Sequence, residues 1–443
     1  MNTTDFEHGS VPADQRKGWV PIAAVWIAIG IDLSGAFLGI ELASGMDFWP
    51  AVLATITGSI LLGLMAMACA YVGAATGLST AMISRVVFGR VGGAVLAGAL
   101  TLSLLGWFAV QAGFFGSNAQ IAFFELTGAD IPVALFTAAG GLLMLLTALW
   151  GYRSISKLSE FAVPALLLLL LAGVVMGFAT QGAAGLTEPV VTTFTFGGAV
   201  SLVMGIFILG VVTAPDMARW ARTPKHAMIA GFVGFFFGNS IIVIVAIVLA
   251  RLMNQTEIVT MYFILGLGVV AIVVLILAQW TTNSSNIYSA ALSFAAINKR
   301  FSRRVVTIVG GVIGILIAVL GASDVFIPFI SAIGIIIAPY GGVYLAAFFF
   351  ERNTGKFVIQ SNERNIRPLA AIAWVAGILA AVASTHPADG LGFGLVDFTT
   401  IPALDGLIVG FIVYLVVAQL RGRDTAQPES EPSAATSPVE QDA

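Results

Sequence analysis

Along its whole length the chain alternates long apolar stretches with short polar ones. About 20 consecutive apolar residues carry a helix across a bilayer core. Twelve such windows can be laid down, the first six near 19–40, 49–72, 93–123, 132–150, 160–179 and 197–214. The second six fall near 227–250, 262–294, 304–322, 325–350, 368–385 and 402–420. The third and eighth windows exceed what a bilayer needs, which predicts tilt or extension beyond the core. Between the second and third, Gly77 to Gly89 carries Leu78, Met82, Ile83 and Val86 at helical spacing. A short helix lying along the membrane surface is expected there.

Composition agrees with this pattern. At 443 residues, with 58% hydrophobic and 10% charged side chains, the chain is an all-α membrane protein and not a soluble globular one. Met1 to Arg16 is polar and the first apolar run is a full span, so no cleavable signal is expected. Cys69, the single cysteine, excludes an internal disulfide and a cysteine-based metal site. His8, His226 and His386 all fall in tails or loops. Of the 20 Lys and Arg residues, only Arg251 falls outside when the chain starts inside. Arg16 and Lys17, the loops from Arg85 to Arg367, and Arg421 and Arg423 share the other side. The positive-inside rule then puts both termini in the cytoplasm of a multi-pass plasma (inner) membrane protein. The stretch after residue 424, rich in Pro, Ser, Glu and Ala, reads as a disordered cytoplasmic tail over 425–443.

Within the first span, Ala28 to Gly39 reads Ala-Ile-Gly-Ile-Asp-Leu-Ser-Gly-Ala-Phe-Leu-Gly. Each glycine weakens a helix by about 1 kcal/mol relative to alanine, so the helix can break near Asp32. Asp32 itself lies roughly 20 Å into the membrane at 1.5 Å per residue. A charge at that depth costs roughly 2.5–3.5 kcal/mol on insertion scales and marks a site. A broken membrane helix with a mid-depth polar residue is a common way for secondary transporters to build binding sites. The other reading is a glycine-rich packing face with Asp32 bonded to a neighbouring helix. No Lys, Arg or His is expected at that depth, which leaves a bound cation, a proton or a substrate N–H as partner. An inverted repeat is also expected, since Gly30 to Gly35 resembles Gly205 to Gly210 at an offset of 175 residues.

Two further spans carry candidate chemistry. Span eight contains Trp280-Thr281-Thr282-Asn283-Ser284-Ser285-Asn286-Ile287-Tyr288. Adjacent hydroxyls coordinate a small hard cation, and asparagine reads a ligand's donors and acceptors. Interhelical hydrogen bonding is the alternative use, typically worth about 0.6 kcal/mol per pair. Span three contains Gly106-Trp107-Phe108, with Gln111 one turn past Trp107 on the same face. A tryptophan at mid-span suits either stacking on a planar ligand or ordinary packing.

The chain resembles the nucleobase–cation symporter-1 family, within it the bacterial cytosine permeases, over nearly all of residues 10–425. The resemblance rests on Val11-Pro12 with Arg16-Lys17-Gly18, Thr76-Gly77-Leu78-Ser79-Thr80, Gly106-Trp107-Phe108, and Asp216 with Arg219. Gly238-Asn239-Ser240, Trp280-Thr281-Thr282-Asn283 and Pro339-Tyr340-Gly341-Gly342 complete it. It implies a leucine-transporter-like fold of twelve helices over 18–424. Two inverted five-helix repeats, about 19–180 and 197–350, would have broken helices 1 and 6, with two more helices after them. It also implies symport of a nucleobase or related heterocycle with Na⁺ or H⁺ and no further cofactor. Matching motifs place the base against Trp107, with Phe207 on its other face and Asn283 bonding its edge; Gln111, and Asp32 by its depth in the membrane, are expected to border it as well. The implied sodium ligands are the carbonyls of Ala28, Ile31 and Ala278 and the hydroxyls of Thr281 and Thr282.

Departures from the family bear on the substrate. The position three residues before Trp107 is Leu104 where cytosine permeases carry glutamine, and a serine expected after Phe207 is Leu209. Gln111 matches a glutamine of hydantoin-type members, and Asp32 replaces a usually apolar residue. Cytosine or a related nucleobase is the expected substrate. The alternative is another small heterocycle: a purine, an allantoin-like ureide or a thiamine-related pyrimidine. No metalloprotease or hydrolase motif and no phosphate-binding loop is present, which argues against an intramembrane enzyme and against ATP-driven transport. Nothing in the charge pattern calls for nucleic acid. The expected partners are substrate, coupling cation and lipid.

Overall fold

The computed structural model describes residues 13–150, 152–297, 302–352, 357 and 365–424. The expected disordered tail at 425–443, the Val11-Pro12 motif and most of the 1–17 tail lie outside the described residues. The helices are α1 (Trp19–Gly30), α2 (Leu33–Gly45), α3 (Phe48–Thr76), α4 (Thr80–Thr127) and α5 (Val133–Trp150). They continue with α6 (Tyr152–Gln181), α7 (Phe196–Val212), α8 (Pro215–Ala218), α9 (Pro224–Met253) and α10 (Ile258–Ile264). The last are α11 (Gly268–Ile297), α12 (Arg303–Val319), α13 (Phe326–Glu351), α14 (Pro368–Ser384) and α15 (Pro402–Asp424). Their bounds follow the apolar windows closely, because apolar length is what a bilayer demands of a helix.

Among the described residues eight helices are long and apolar enough to cross a membrane, and α1 with α2 makes a ninth as one span bent by 57°. The sequence-derived window 19–40 is therefore two helices. The other differences have local causes. Within Gly77–Gly89, residues 80–88 are helical, as expected, and α4 joins that helix to span three across a break. Ser79 caps it by accepting from the Met82 N–H at 3.4 Å, and Gly89 kinks it at φ 83°, ψ 178°. Window eight divides into α10 and α11 at Gly266, which takes φ 73°, a conformation glycine adopts at little cost. Span six runs unbroken through Phe207 to Val212, and the four-residue α8 follows a turn at Thr213–Ala214. Pro215 has no N–H to offer the preceding turn, so the helix cannot continue there unchanged.

In the centre α9 packs along α3 and against both halves of the bent first span. Helix α7 lies between α3 and α13, while α4 runs beside α11. The glycines of span one serve this packing. A Cβ on Gly30 would lie 2.8 Å from the Gly238 carbonyl carbon and from a Phe207 ring carbon. One on Gly39 would run into the Val243 carbonyl oxygen. Helix breakage and close packing, posed as alternatives by the sequence, occur together.

Candidate functional site

The break in span one leaves backbone groups without helical partners. Ile31, at φ −79° and ψ 74°, still donates its N–H to the Ile27 carbonyl at 2.9 Å. The carbonyls that follow, from Ala28 onward, lose their donors because the helix stops. Asp32, extended at φ −121° and ψ 148°, is the residue before α2, and its carbonyl accepts from the Gly35 N–H at 3.0 Å. Its side chain does not cap α2. It turns instead toward α4.

There it meets two partners. Asp32 Oδ2 accepts from Ser34 Oγ at 2.6 Å and from Gln111 Nε2 at 2.9 Å. Gln111 Nε2 also donates to Ser34 Oγ at 2.7 Å. Gln111 is 2% exposed, so the cluster sits between buried helices. Asp32 Oδ1 and Gln111 Oε1 are buried with no hydrogen-bond partner. Unpaired polar atoms in a protein interior cost about 1–3 kcal/mol each, which makes this helix break the candidate site.

Aromatic rings surround the cluster along α4. Trp107, one turn before Gln111, meets Phe329 edge-on at 5.2 Å and Phe326 at 6.3 Å. Phe114, close to one turn after Gln111, stacks on Phe37 at 3.8 Å and meets Phe326 at 5.2 Å. Phe207 is half-buried; its ring neighbour is Phe235 at 4.8 Å, and its edge rests on Gly30. The structure thus brings Asp32, Gln111 and Trp107 onto one side of the break, with Phe207 against the end of α1.

Span eight is divided in its use. Asn283 Nδ2 donates to the Phe108 carbonyl at 3.0 Å and to Met144 Sδ at 3.2 Å, and its Oδ1 accepts from Asn286 Nδ2 at 3.4 Å. Ser284 Oγ shares its hydrogen between the Trp280 carbonyl at 2.7 Å and the Met144 carbonyl at 3.2 Å, and Trp280 Nε1 donates to Thr147 Oγ1 at 2.8 Å. These bonds tie α11 to α4 and α5, and they hold Asn283 away from the Asp32 cluster. Thr281 Oγ1 donates to the Ala278 carbonyl at 2.8 Å, so these two implied ligands are adjacent. The half-buried Thr282 hydroxyl has no hydrogen-bond partner among the described residues.

Sequence reasoning missed three contributors. Ser34 was legible as the hydroxyl two residues past Asp32. The Asn118–Gln279 amide contact at 3.5 Å, two turns beyond Gln111, and the Phe326–Phe329 edge come from distant segments without a motif.

Comparison with known proteins agrees with this architecture. Residues 10–400 match the family model described as permease for cytosine/purines, uracil, thiamine, allantoin. The cytosine permease of Escherichia coli (strain K12) is 31% identical over 380 residues, covering 85% of this chain and 88% of that protein. The hydantoin permease of Microbacterium maritypicum is 21% identical over 374 residues, 77% of this chain and 74% of its own length. Among solved structures, the nucleobase-cation-symport-1 family transporter Mhp1, in a closed conformation with bromovinylhydantoin bound, superposes with TM-score 0.76. That match covers 95% of this chain and 96% of the other at 16% identity, a likeness of fold. By its family match and its identity to a permease over most of both chains, this chain belongs to the cytosine/purine permease family and is a membrane transporter, not an enzyme.

Proposed function

We propose that the chain is a secondary active transporter that imports cytosine or a related nucleobase, coupled to Na⁺ or H⁺, by alternating access about the break in span one. The observation that carries this reading is the buried Asp32–Ser34–Gln111 cluster with two unclaimed acceptor oxygens at that break. In this reading the shorter helices α7, α12 and α14 complete twelve spans over 18–424. The repeats are about 19–180 and 197–350, and both termini face the cytoplasm of the plasma (inner) membrane. The ring lies against Trp107, with Phe207 on its other side. Asn283 reaches the ring edge by giving up its bond to the Phe108 carbonyl.

In this reading Na⁺ takes as ligands the carbonyls of Ala28, Ile31 and Ala278 and the hydroxyls of Thr281 and Thr282. Hard oxygen ligands suit it, and the broken end of α1 supplies carbonyls free of helical donors. A small heterocycle of another kind, as in the hydantoin permease relative, is the second reading; Gln111 and the apolar Leu104 favour it. Uptake of a radiolabelled nucleobase, hydantoin and allantoin panel in a transporter-deficient strain, with and without sodium, tests both. Accumulation of a nucleobase supports the first reading. Accumulation of none of the panel overturns both.

A further inference from the structure

Helix α14 has 17 residues, Pro368–Ser384, and is about 25 Å long at 1.5 Å per residue. A bilayer core is about 30 Å thick, so α14 is short for a span. Arg367, immediately before it, pairs with Glu351 at 3.2 Å, which holds that end of the helix among polar groups. The shortfall therefore lies at the other end, after Ser384. Carbonyls freed there would face hydrocarbon, with no water to pair with them.

The loop that follows supplies donors from its own backbone. The Phe393 N–H donates to the Val382 carbonyl at 3.0 Å, that of Leu395 to Ala383 at 2.7 Å, and that of Gly394 to Thr385 at 2.8 Å. The sequence there alternates glycine with apolar side chains, Gly390-Leu391-Gly392-Phe393-Gly394-Leu395. Glycine permits the close approach. A Cβ on Gly392 would run into the Thr385 carbonyl oxygen, and Gly394 sits at φ 59°. The apolar side chains stay outside: Leu391 is 54% exposed, Phe393 67%, Leu395 74% and Phe398 65%. Asp389 is buried, accepting from the Thr195 N–H at 2.9 Å and from Thr195 Oγ1 at 2.7 Å, so its charge is withdrawn from this surface.

Large apolar side chains exposed together mark an interaction surface. Lipid is the occupant that the fold brings to this one. Leu379, 63% exposed, lies one turn before the carbonyls that the loop binds, so the lipid-facing side of α14 ends where the loop begins. Taking α14 as a span, as proposed above, we propose that the loop 391–398 is a membrane anchor. It lies in the lipid interface with Leu391, Phe393, Leu395 and Phe398 against the acyl chains, and it makes up the missing length of α14.

Spin-label accessibility in proteoliposomes of the full-length protein tests this. Single cysteines replace Leu379, Phe393, Leu395, Asp397 or Phe398 in a Cys69→Ala background. All five side chains are exposed, so the labels displace no packing. Labels at Phe393, Leu395 and Phe398 are expected to collide severalfold more often with lipid-soluble oxygen than with a water-soluble nickel chelate present on both sides of the bilayer. Leu379 is expected to behave the same way, and Asp397 to show the reverse. Chelate-dominated collisions at the loop positions, with oxygen still dominant at Leu379, would put the loop in water and overturn the anchor while leaving α14 a span. Chelate dominance at Leu379 as well overturns both. Spectral broadening at the loop positions that disappears on dilution with unlabelled protein would give the surface to a second copy and overturn the anchor too.

Discussion

Gln111 and Asp32 lie 79 positions apart and meet through a 2.9 Å hydrogen bond from the Gln111 amide to Asp32 Oδ2. The bond joins α4 to the interruption of span one and gives the buried carboxylate a protein partner. The behaviour expected of the site and its surroundings follows from it.

Trp107 stands one turn from Gln111 on α4, its ring edge-on to Phe329. Stacking a base on an aromatic side chain is worth about 1–3 kcal/mol, so Trp107→Ala is expected to weaken base binding roughly tenfold or more. Equilibrium binding on purified protein measures it, and an unchanged affinity would move the substrate elsewhere.

Thr282 carries a hydroxyl with no hydrogen-bond partner among the described residues, next to Thr281, whose hydroxyl is spent on the Ala278 carbonyl. Thr282→Ala is therefore expected to weaken the sodium response of uptake before it alters the rank order of substrates. Initial uptake rates across a sodium series decide the matter; an unaltered sodium response argues against the proposed ligand set.

Gly39 and Gly98 should respond oppositely to the same change. A methyl on Gly39 would drive into the Val243 carbonyl oxygen, whereas one on Gly98 meets nothing within 4 Å. Gly39→Ala is expected to cost about 1–3 kcal/mol through overpacking of α2 against α9. Gly98→Ala, within the helix α4, is expected to hold or raise stability by about 0.4–1 kcal/mol. Thermal unfolding of the detergent-solubilised protein reports both, and equal losses would disprove the packing assignment.

Orientation is open to chemical labelling. In a Cys69→Ala background, a cysteine at Thr399 is expected to react with an impermeant thiol reagent on intact cells. A cysteine at Lys225 is expected to react only after permeabilisation. The opposite pattern would invert the topology.

How much of this was legible in the chain differs by residue, and the difference is physical. Hydropathy is a local property, and lipid imposes its demand on every stretch that crosses it. The run from Phe48 to Thr76, or from Pro402 onward, therefore declared its helix without reference to any other part of the chain. Asp32 among glycines likewise announced an interruption, because a carboxylate and weak helix formers conflict with a continuous span wherever they fold. The direction a polar side chain turns is not local. The Trp280–Asn286 run read as one site, yet the packing of α11 against α4 and α5 spends Trp280, Asn283 and Ser284 on tertiary hydrogen bonds. It leaves Thr282 without one. Nothing near Gln111 in sequence could say that its amide would meet Asp32 and Ser34. The sequence by itself determined the spans and the position of the break. Only the tertiary structure decided which atoms beside the break still lack a partner, because a hydrogen bond is settled by proximity in space.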